Sequence, residues 1–518
     1  MTHSNENQNR SKALYACVFS NFLVILVIFT WMAFTRNIDG DEGLYLEAAR
    51  LVGEGKVLYR DFFFQQMPLI PYLYAGWMKL FGFSLMSSRW LSVLLTASAG
   101  LVMLIYVARQ SQSRALISLY ALLFYGSGIV LAWAPVFKTH PINFFCLTVS
   151  AISLVEWRNG SRIKRWLLFI SGLAIGIGMN SRLMFIPFAF VLAFFIVFQN
   201  RRWLRDLSIF VLALGITSIP TFYFFYSNPS RFIQYNLLYH LQIYPGLVNT
   251  HRRLITAQNV FLREQMILFL TSAALGLLIA GRKKWRDFFN TDTAVFGSLL
   301  ICFIIIHMNS AEPYTQYFSA MVPWAMLAAL PFFQSLAKWP RWAMVPVLVG
   351  FSLIFLSSMK PTLNFEVASM GSDNPLWELG NFRKSVAVAK KVIPPNQECL
   401  TWWPGYAFEA GCQSVPGMEN HMRNHAIDVG VTGETLEQYQ MMSEERLIED
   451  LGEKKFPYII EGVYRIRGPY ADYIDYVMEE NYHSVAQIKG VTIWASNDLS
   501  SHYVKGPLIQ GVRGKVIR

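Results

Sequence analysis

Charge is what this sequence has little of. Only 15% of its 518 residues are Asp, Glu, Lys or Arg, against 54% hydrophobic, which excludes one soluble core under a solvated surface and places the chain in the membrane class. Acids are scarcest before residue 360: residues 1–359 hold 13 Asp and Glu against 29 Lys and Arg, whereas residues 360–518 hold 20 against 16. A membrane domain over 1–359 and a soluble domain over 360–518 follow. The basic excess sits in short clusters between apolar runs, which reads as topology signals rather than a nucleic-acid surface. No G-x-G-x-x-G fingerprint is present, so no nucleotide site is assigned, and no internal repeat of the kind many transporters carry is visible. Cysteines number five. Cys17, Cys146 and Cys302 fall in apolar runs; Cys399 and Cys412 lie in the tail, where they are either two thiols or a disulfide worth roughly 3 kcal/mol.

What the chain does have is apolar runs. The first, Ala13 to Phe34, is long enough to cross the hydrocarbon and ends in Trp31-Met32-Ala33-Phe34-Thr35-Arg36, unlike a signal-peptide cleavage site, so it reads as an uncleaved span. Others follow at 90–108, 115–134, 141–155, 166–179, 183–199, 207–226, 266–280, 293–309, 316–336 and 343–359, giving about eleven spans. Basic clusters at Arg10/Lys12, Arg109/Arg114, Arg158/Arg162/Lys164/Arg165, Arg201/Arg202/Arg205, Arg282/Lys283/Lys284/Arg286 and Lys338/Arg341 occupy every second connection. By the positive-inside rule these are cytoplasmic, as is the N-terminus, and loop 36–89, loop 227–262 and residues 360–518 lie outside. The stretch from Trp166 to Phe198 then goes out and returns, turning at Asn180-Ser181-Arg182.

Loop 36–89 concentrates the chemistry. Asp39, Asp41, Glu42 and Glu47 follow the first span directly, in Asp39-Gly40-Asp41-Glu42-Gly43-Leu44-Tyr45. Asp41 to Val52 and Pro71 to Phe81 have helix-forming patterns, expected as helices lying in the interface plane, with Tyr72, Tyr74, Trp77 and Phe81 as anchors. The tail alternates: helix over 376–391, strand over 398–403, helix over 443–451, strand over 458–461, helix over 470–481, and one or two strands over 484–495. That is the pattern of a small α/β domain with an open sheet.

These residues resemble a known family. Asp41-Glu42 after the first span, Tyr45, Gly55, Tyr59-Arg60-Asp61-Phe62-Phe63, Gln65-Gln66-Met67-Pro68 and Leu80-Phe81-Gly82 look like the integral-membrane glycosyltransferases of the GT-C class. The branch they look most like is that of the protein O-mannosyltransferases and lipid A aminoarabinose transferases; the turn at Arg182 and the run Tyr317-Phe318-Ser319-Ala320-Met321-Val322-Pro323 fit it too. The resemblance covers roughly residues 13–340 and implies transfer of a sugar from a polyprenyl-phosphate carrier to a glycan, lipid or protein acceptor on the outer side of the cell membrane. It makes Asp41 the catalytic acid/base and Glu42 the second acid. The chain departs from the aminoarabinose branch in having Gln66-Met67 where that branch has a Glu-Lys pair before its proline.

Physical chemistry leads to the same residues. Such a transfer needs a carboxylate to take the acceptor proton and cations to stabilise the leaving phosphate. Acids at a helix start also cap it, a role open to Asp39 as well as to Asp41 and Glu42. A divalent cation on Asp41 and Glu42 is the one cofactor to consider. Outside cations for the phosphate are Lys138 and His140, Arg182, and the Arg252-Arg253 pair, which would otherwise meet lipid headgroups. Tyr45, Tyr59, Gln65 and Gln66 are the substrate-binding candidates. The expected fold is a polytopic α-helical membrane protein with a C-terminal extracytoplasmic α/β domain, the expected activity an inverting sugar transfer. A transporter or lipid-linked sugar flippase is the alternative.

Overall fold

A computed structural model describes residues 2–160, 164–199, 202–243, 250–282, 285–310, 313–368, 374–464 and 468–499. The chain divides into two compact units, each drawn from separate stretches of sequence. The first comprises residues 1–34, 89–222 and 246–367, and the second residues 35–88, 223–245 and 368–518.

Among its described residues the first unit is built of helices without strands, and each apolar run read as a span lies largely on helix. Among the described residues, length and apolarity alone qualify four helices to cross a membrane: Gln8–Thr35, Leu85–Ser111, Trp203–Ser227 and Arg341–Val367. Two bent pairs raise the number to six, and shorter apolar helices cover Arg114–Tyr125, Arg165–Met179, Leu183–Phe198 and Asp292–Met308. The segment 115–134, expected as one span, is broken into Arg114–Tyr125 and Gly128–Trp133. The break has a side-chain substitute for its missing ladder bonds. Gln265 accepts from the Gly128 N–H and donates to the Gly126 and Phe355 carbonyls, which satisfies backbone groups where water is scarce. Reciprocal hydroxyl bonds between Ser150 and Ser171, and Tyr120 donating to the Met326 carbonyl, tie further helices of this unit.

The second unit contains the sheet. Strands β1 (Glu398–Thr401), β2 (Gln413–Ser414), β3 (Tyr458–Glu461), β4 (Tyr482–Ile488) and β5 (Val491–Ser496) stand in the order β2-β1-β3-β5-β4. β1 is parallel to both β2 and β3, while β5 runs antiparallel to β3 and β4. The expected helices of the tail are found at Leu379–Val392, Glu444–Gly452 and Ala471–Asn481, and the last strand-like run is a hairpin. Leu400, Trp402, Leu447, Leu451, Ile459 and Ile474 form part of the core between sheet and helices. Cys399 and Cys412 are buried neighbours and both are free thiols; burial, then the hydrogen bond with Cys412, pushes the Cys399 thiol well above its ordinary range.

Two stretches remote from the tail in sequence complete this unit. The expected helices of loop 36–89 run over Gly40–Gly53 and Leu69–Phe81. The first is buried on nearly every side, while the second keeps Tyr72, Leu80 and Phe81 exposed. Residues 223–245 are fastened by polar bonds: Arg231 donates to the carbonyls of Tyr59 and Arg60, and Tyr235 donates to Gln440.

Candidate functional site

The helix Gly40–Gly53 starts with a complete capping box. Asp39, in extended backbone at φ −108° and ψ 143°, accepts from the Asp41 N–H at 3.0 Å, and Glu42 accepts from the Asp39 N–H at 2.9 Å. Those two carboxylates satisfy donors that the first helical turn leaves open. Arg36 lies 4.0 Å from the second oxygen of Asp39. Of the four acids singled out by sequence, Asp39 and Glu42 thus hold the helix start. Glu47 is fully buried and paired with Arg50; burial raises its carboxyl above the usual range even with that partner beside it. Asp41 enters the cap through its backbone N–H alone; its side chain is 36% exposed.

Aromatic rings from the tail close on the same helix start. Trp403 donates its indole N–H to the Gly40 carbonyl at 2.7 Å, with Trp377, Phe382 and Tyr406 around its ring. A side chain on Gly40 would strike the Tyr464 hydroxyl, and one on Gly43 the Trp403 indole. Only glycine admits so close an approach. His421 comes to Asp41 from the tail as well, its Nε2 3.5 Å from Oδ1 and its side chain 1% exposed.

The Gln65-Gln66 segment is held in the same unit. Gln65 is buried; its side chain accepts from Asn420 at 2.8 Å and its carbonyl lies 2.8 Å from His240 Nε2. Tyr45 donates to the Gln66 side chain and Tyr59 to the Gln66 carbonyl, both at 2.6 Å. Tyr59 is buried and left-handed at φ 65°, a conformation non-glycine residues seldom adopt. Both hydroxyls therefore brace Gln66, and the Gln66 side chain is half-buried between them and solvent.

The expected phosphate ligands fall in the first unit. Lys138 and His140, both buried, open the helix Thr139–Arg158. Lys138 sits 4.9 Å over the Trp133 ring, and His140 lies between Trp133 at 5.4 Å and Tyr317 at 6.2 Å. Arg182 stacks on Tyr317 at 4.4 Å, and Ser181, beside it, donates to Asn143 at 2.8 Å, which fixes the turn against the helix that begins at Thr139. Tyr317 is thus common to His140, Arg182 and His307, the last at 5.8 Å. Arg253 donates to the Asn309 carbonyl at 3.4 Å; the Arg252 side chain lies outside the described residues. For a divalent cation the fit is poor: Glu42 is engaged at the cap, and among the described residues no three His, Cys, Asp or Glu side chains stand together as a metal would require.

Sequence reasoning missed His421, Asn420, His240, Trp403 and Tyr464. No periodicity or motif marks them, because each acts through a partner far away in the chain.

A sequence model of the dolichyl-phosphate-mannose-protein mannosyltransferase family matches residues 65–224. No curated protein sequence matches the chain. Among solved structures, ArnT from Cupriavidus metallidurans bound to undecaprenyl phosphate is similar with a TM-score of 0.63 and 14% identity, over 92% of this chain and 97% of that one. ArnT in the apo state gives the same TM-score and identity over 93% and 98%. The archaeal oligosaccharyltransferase AglB from Archaeoglobus fulgidus, solved with an inhibitory peptide and a dolichol-phosphate, is a more distant likeness: TM-score 0.46 and 12% identity, over 85% and 69%. The chain is a multi-pass membrane protein with an ArnT-like fold. The matching family is one of glycosyltransferases with lipid-phosphate-linked donors.

Proposed function

We propose that this protein transfers a sugar from a polyprenyl-phosphate-linked donor to an acceptor on the extracytoplasmic side of the cell membrane, with inversion at the anomeric carbon. Asp41 takes the proton of the acceptor hydroxyl as its oxygen attacks that carbon. The bond from the anomeric carbon to the phosphate oxygen breaks, and polyprenyl phosphate leaves with the electron pair. Lys138, His140 and Arg182 are the groups assigned to the charge developing on the phosphate, which positively charged side chains and N–H donors stabilise. Arg253 and Arg252 are secondary candidates for that contact. Gln66, braced by Tyr45 and Tyr59, and Gln65, held by Asn420 and His240, bind substrate. Glu42 serves the site by fixing the helix start that carries Asp41. The N-terminus is cytoplasmic and the tail extracytoplasmic in this reading.

The observation that carries the reading is the division of labour among the acids after the first span: the carboxylates of Asp39 and Glu42 form the cap, and the carboxylate of Asp41 lies beside His421. A general base acts through its carboxylate, and at the position picked by resemblance the carboxylate is not one of the two that build the cap. The test is transfer by the purified protein in nanodiscs, supplied with undecaprenyl-phosphate mannose or undecaprenyl-phosphate arabinose and with candidate acceptors. Asp41→Asn is expected to lower turnover about 10²- to 10⁴-fold while undecaprenyl phosphate still binds. A variant within about threefold of the wild type would remove Asp41 from the chemistry.

A further inference from the structure

The imidazole of His421 is buried, yet neither ring nitrogen has a hydrogen-bond partner among the described residues. A buried histidine ordinarily satisfies at least one nitrogen on a carbonyl or carboxylate. The polar group that Nε2 faces is Asp41, with Oδ1 at 3.5 Å, just beyond hydrogen-bonding length. Catalytic hydrogen bonds are often long before substrate arrives and shorten in the complex.

The ring is also held in one orientation. It lies flat on Tyr464, with centroids 4.9 Å apart and planes 11° from parallel. Tyr464 is itself left-handed at φ 61°, a conformation retained where the surroundings impose it. The preceding residue, Asn420, donates to Gln65 and accepts from the Met422 N–H, so the segment is fastened on both sides of the ring's attachment. Packing fixes the plane of the imidazole, and the edge so fixed points at the carboxylate.

From this geometry we infer that His421 is a positioning residue for Asp41. In the tautomer with its proton on Nε2, it donates to Oδ1 and stops rotation of the carboxylate. No bond to the sugar passes through His421. The inference rests on Asp41 being the base, as proposed above, but the contact itself can be tested without that assumption.

Two replacements separate the N–H from the ring. His421→Phe keeps a flat ring on Tyr464 and removes the donor; His421→Gln gives up the ring and returns an N–H at similar reach. With undecaprenyl-phosphate mannose or arabinose as probe, His421→Phe should lower kcat about 10- to 100-fold with KM for the donor within about twofold. His421→Gln should recover activity to within about fivefold of the wild type, and His421→Phe added to Asp41→Asn should cause no further loss. Wild-type kcat in His421→Phe, or a loss carried wholly by KM, overturns the inference. If the wild type transfers neither sugar, the proposed function fails, and the contact is judged by melting temperature alone. Asp41→Ala and His421→Phe should then shift melting by less together than the sum of their separate shifts. Additive shifts would remove the contact and the inference with it.

Discussion

At the scale of single residues, Glu419 makes the second unit sensitive to pH. Its carboxylate accepts from the Gly417 N–H at 2.6 Å, and burial pushes its pKa up to about 7, with Glu47 reinforcing the shift. A carboxyl with a raised folded-state pKa binds its proton more tightly folded than unfolded. Stability is therefore greatest below the unfolded value near 4.5, falls as pH rises to about 7 and is level above that. The total loss is roughly 3 kcal/mol. Melting temperatures measured from pH 4.5 to 7.5 should show this decline in the wild type, and Glu419→Gln should flatten it. Asp39 permits a second measurement. Asp39→Ala removes the cap acceptor for the Asp41 N–H and should destabilise the protein by about 1 kcal/mol. Activity should fall further than that loss accounts for, because the backbone of Asp41 is what the cap holds.

Among elements, the helix Gly40–Gly53 shows how far local pattern reaches. Its extent was legible from Leu44, Ala48, Leu51 and Val52 at helical spacing, and Asp39 as a cap was legible from composition. What lies against Gly40 and Gly43 was not, because a glycine in a sequence does not say which ring excludes a methyl group. Gly43→Ala forces a carbon into the Trp403 indole and should destabilise the second unit by about 1–3 kcal/mol. Chemical or thermal unfolding followed by tryptophan fluorescence would register it, and an unshifted midpoint would mean that the helix and the indole part easily. The same limit of local pattern explains the break at 126–127. An apolar run over 115–134 hides its interruption, since Gln265, which takes over the backbone groups there, comes 137 residues after Gly128. Of the strands, β1, β3 and the β4–β5 hairpin announce themselves by β-rich composition, but β2 is two residues long and exists only through its register with β1.

For the whole molecule, the charge change near Lys360 marks where composition alters, and it says nothing of which earlier residues the tail recruits. The second unit draws on residues 35–88 and 223–245 as well as the tail. The sequence-chosen residues sort accordingly: Asp41, Glu42, Tyr45, Tyr59, Gln65 and Gln66 belong to the second unit, while Lys138, His140 and Arg182 belong to the first. A fragment of residues 368–499 should then fold poorly by itself. Its strand edge near Cys412 and Ser414 would lose Arg50, and Trp403 would lose the Gly40 carbonyl. Such a fragment is expected to bind a hydrophobic dye and to resist proteolysis less than the same residues in the full chain.

That three-part make-up also sets an order of events during synthesis. Asp41 leaves the ribosome long before Trp403, His421 and Tyr464 do. The surroundings of Asp41 in the second unit are therefore complete only after Tyr464 has been made. A chain that stops short of Trp403 holds the acids of its first loop without the rings that pack against their helix.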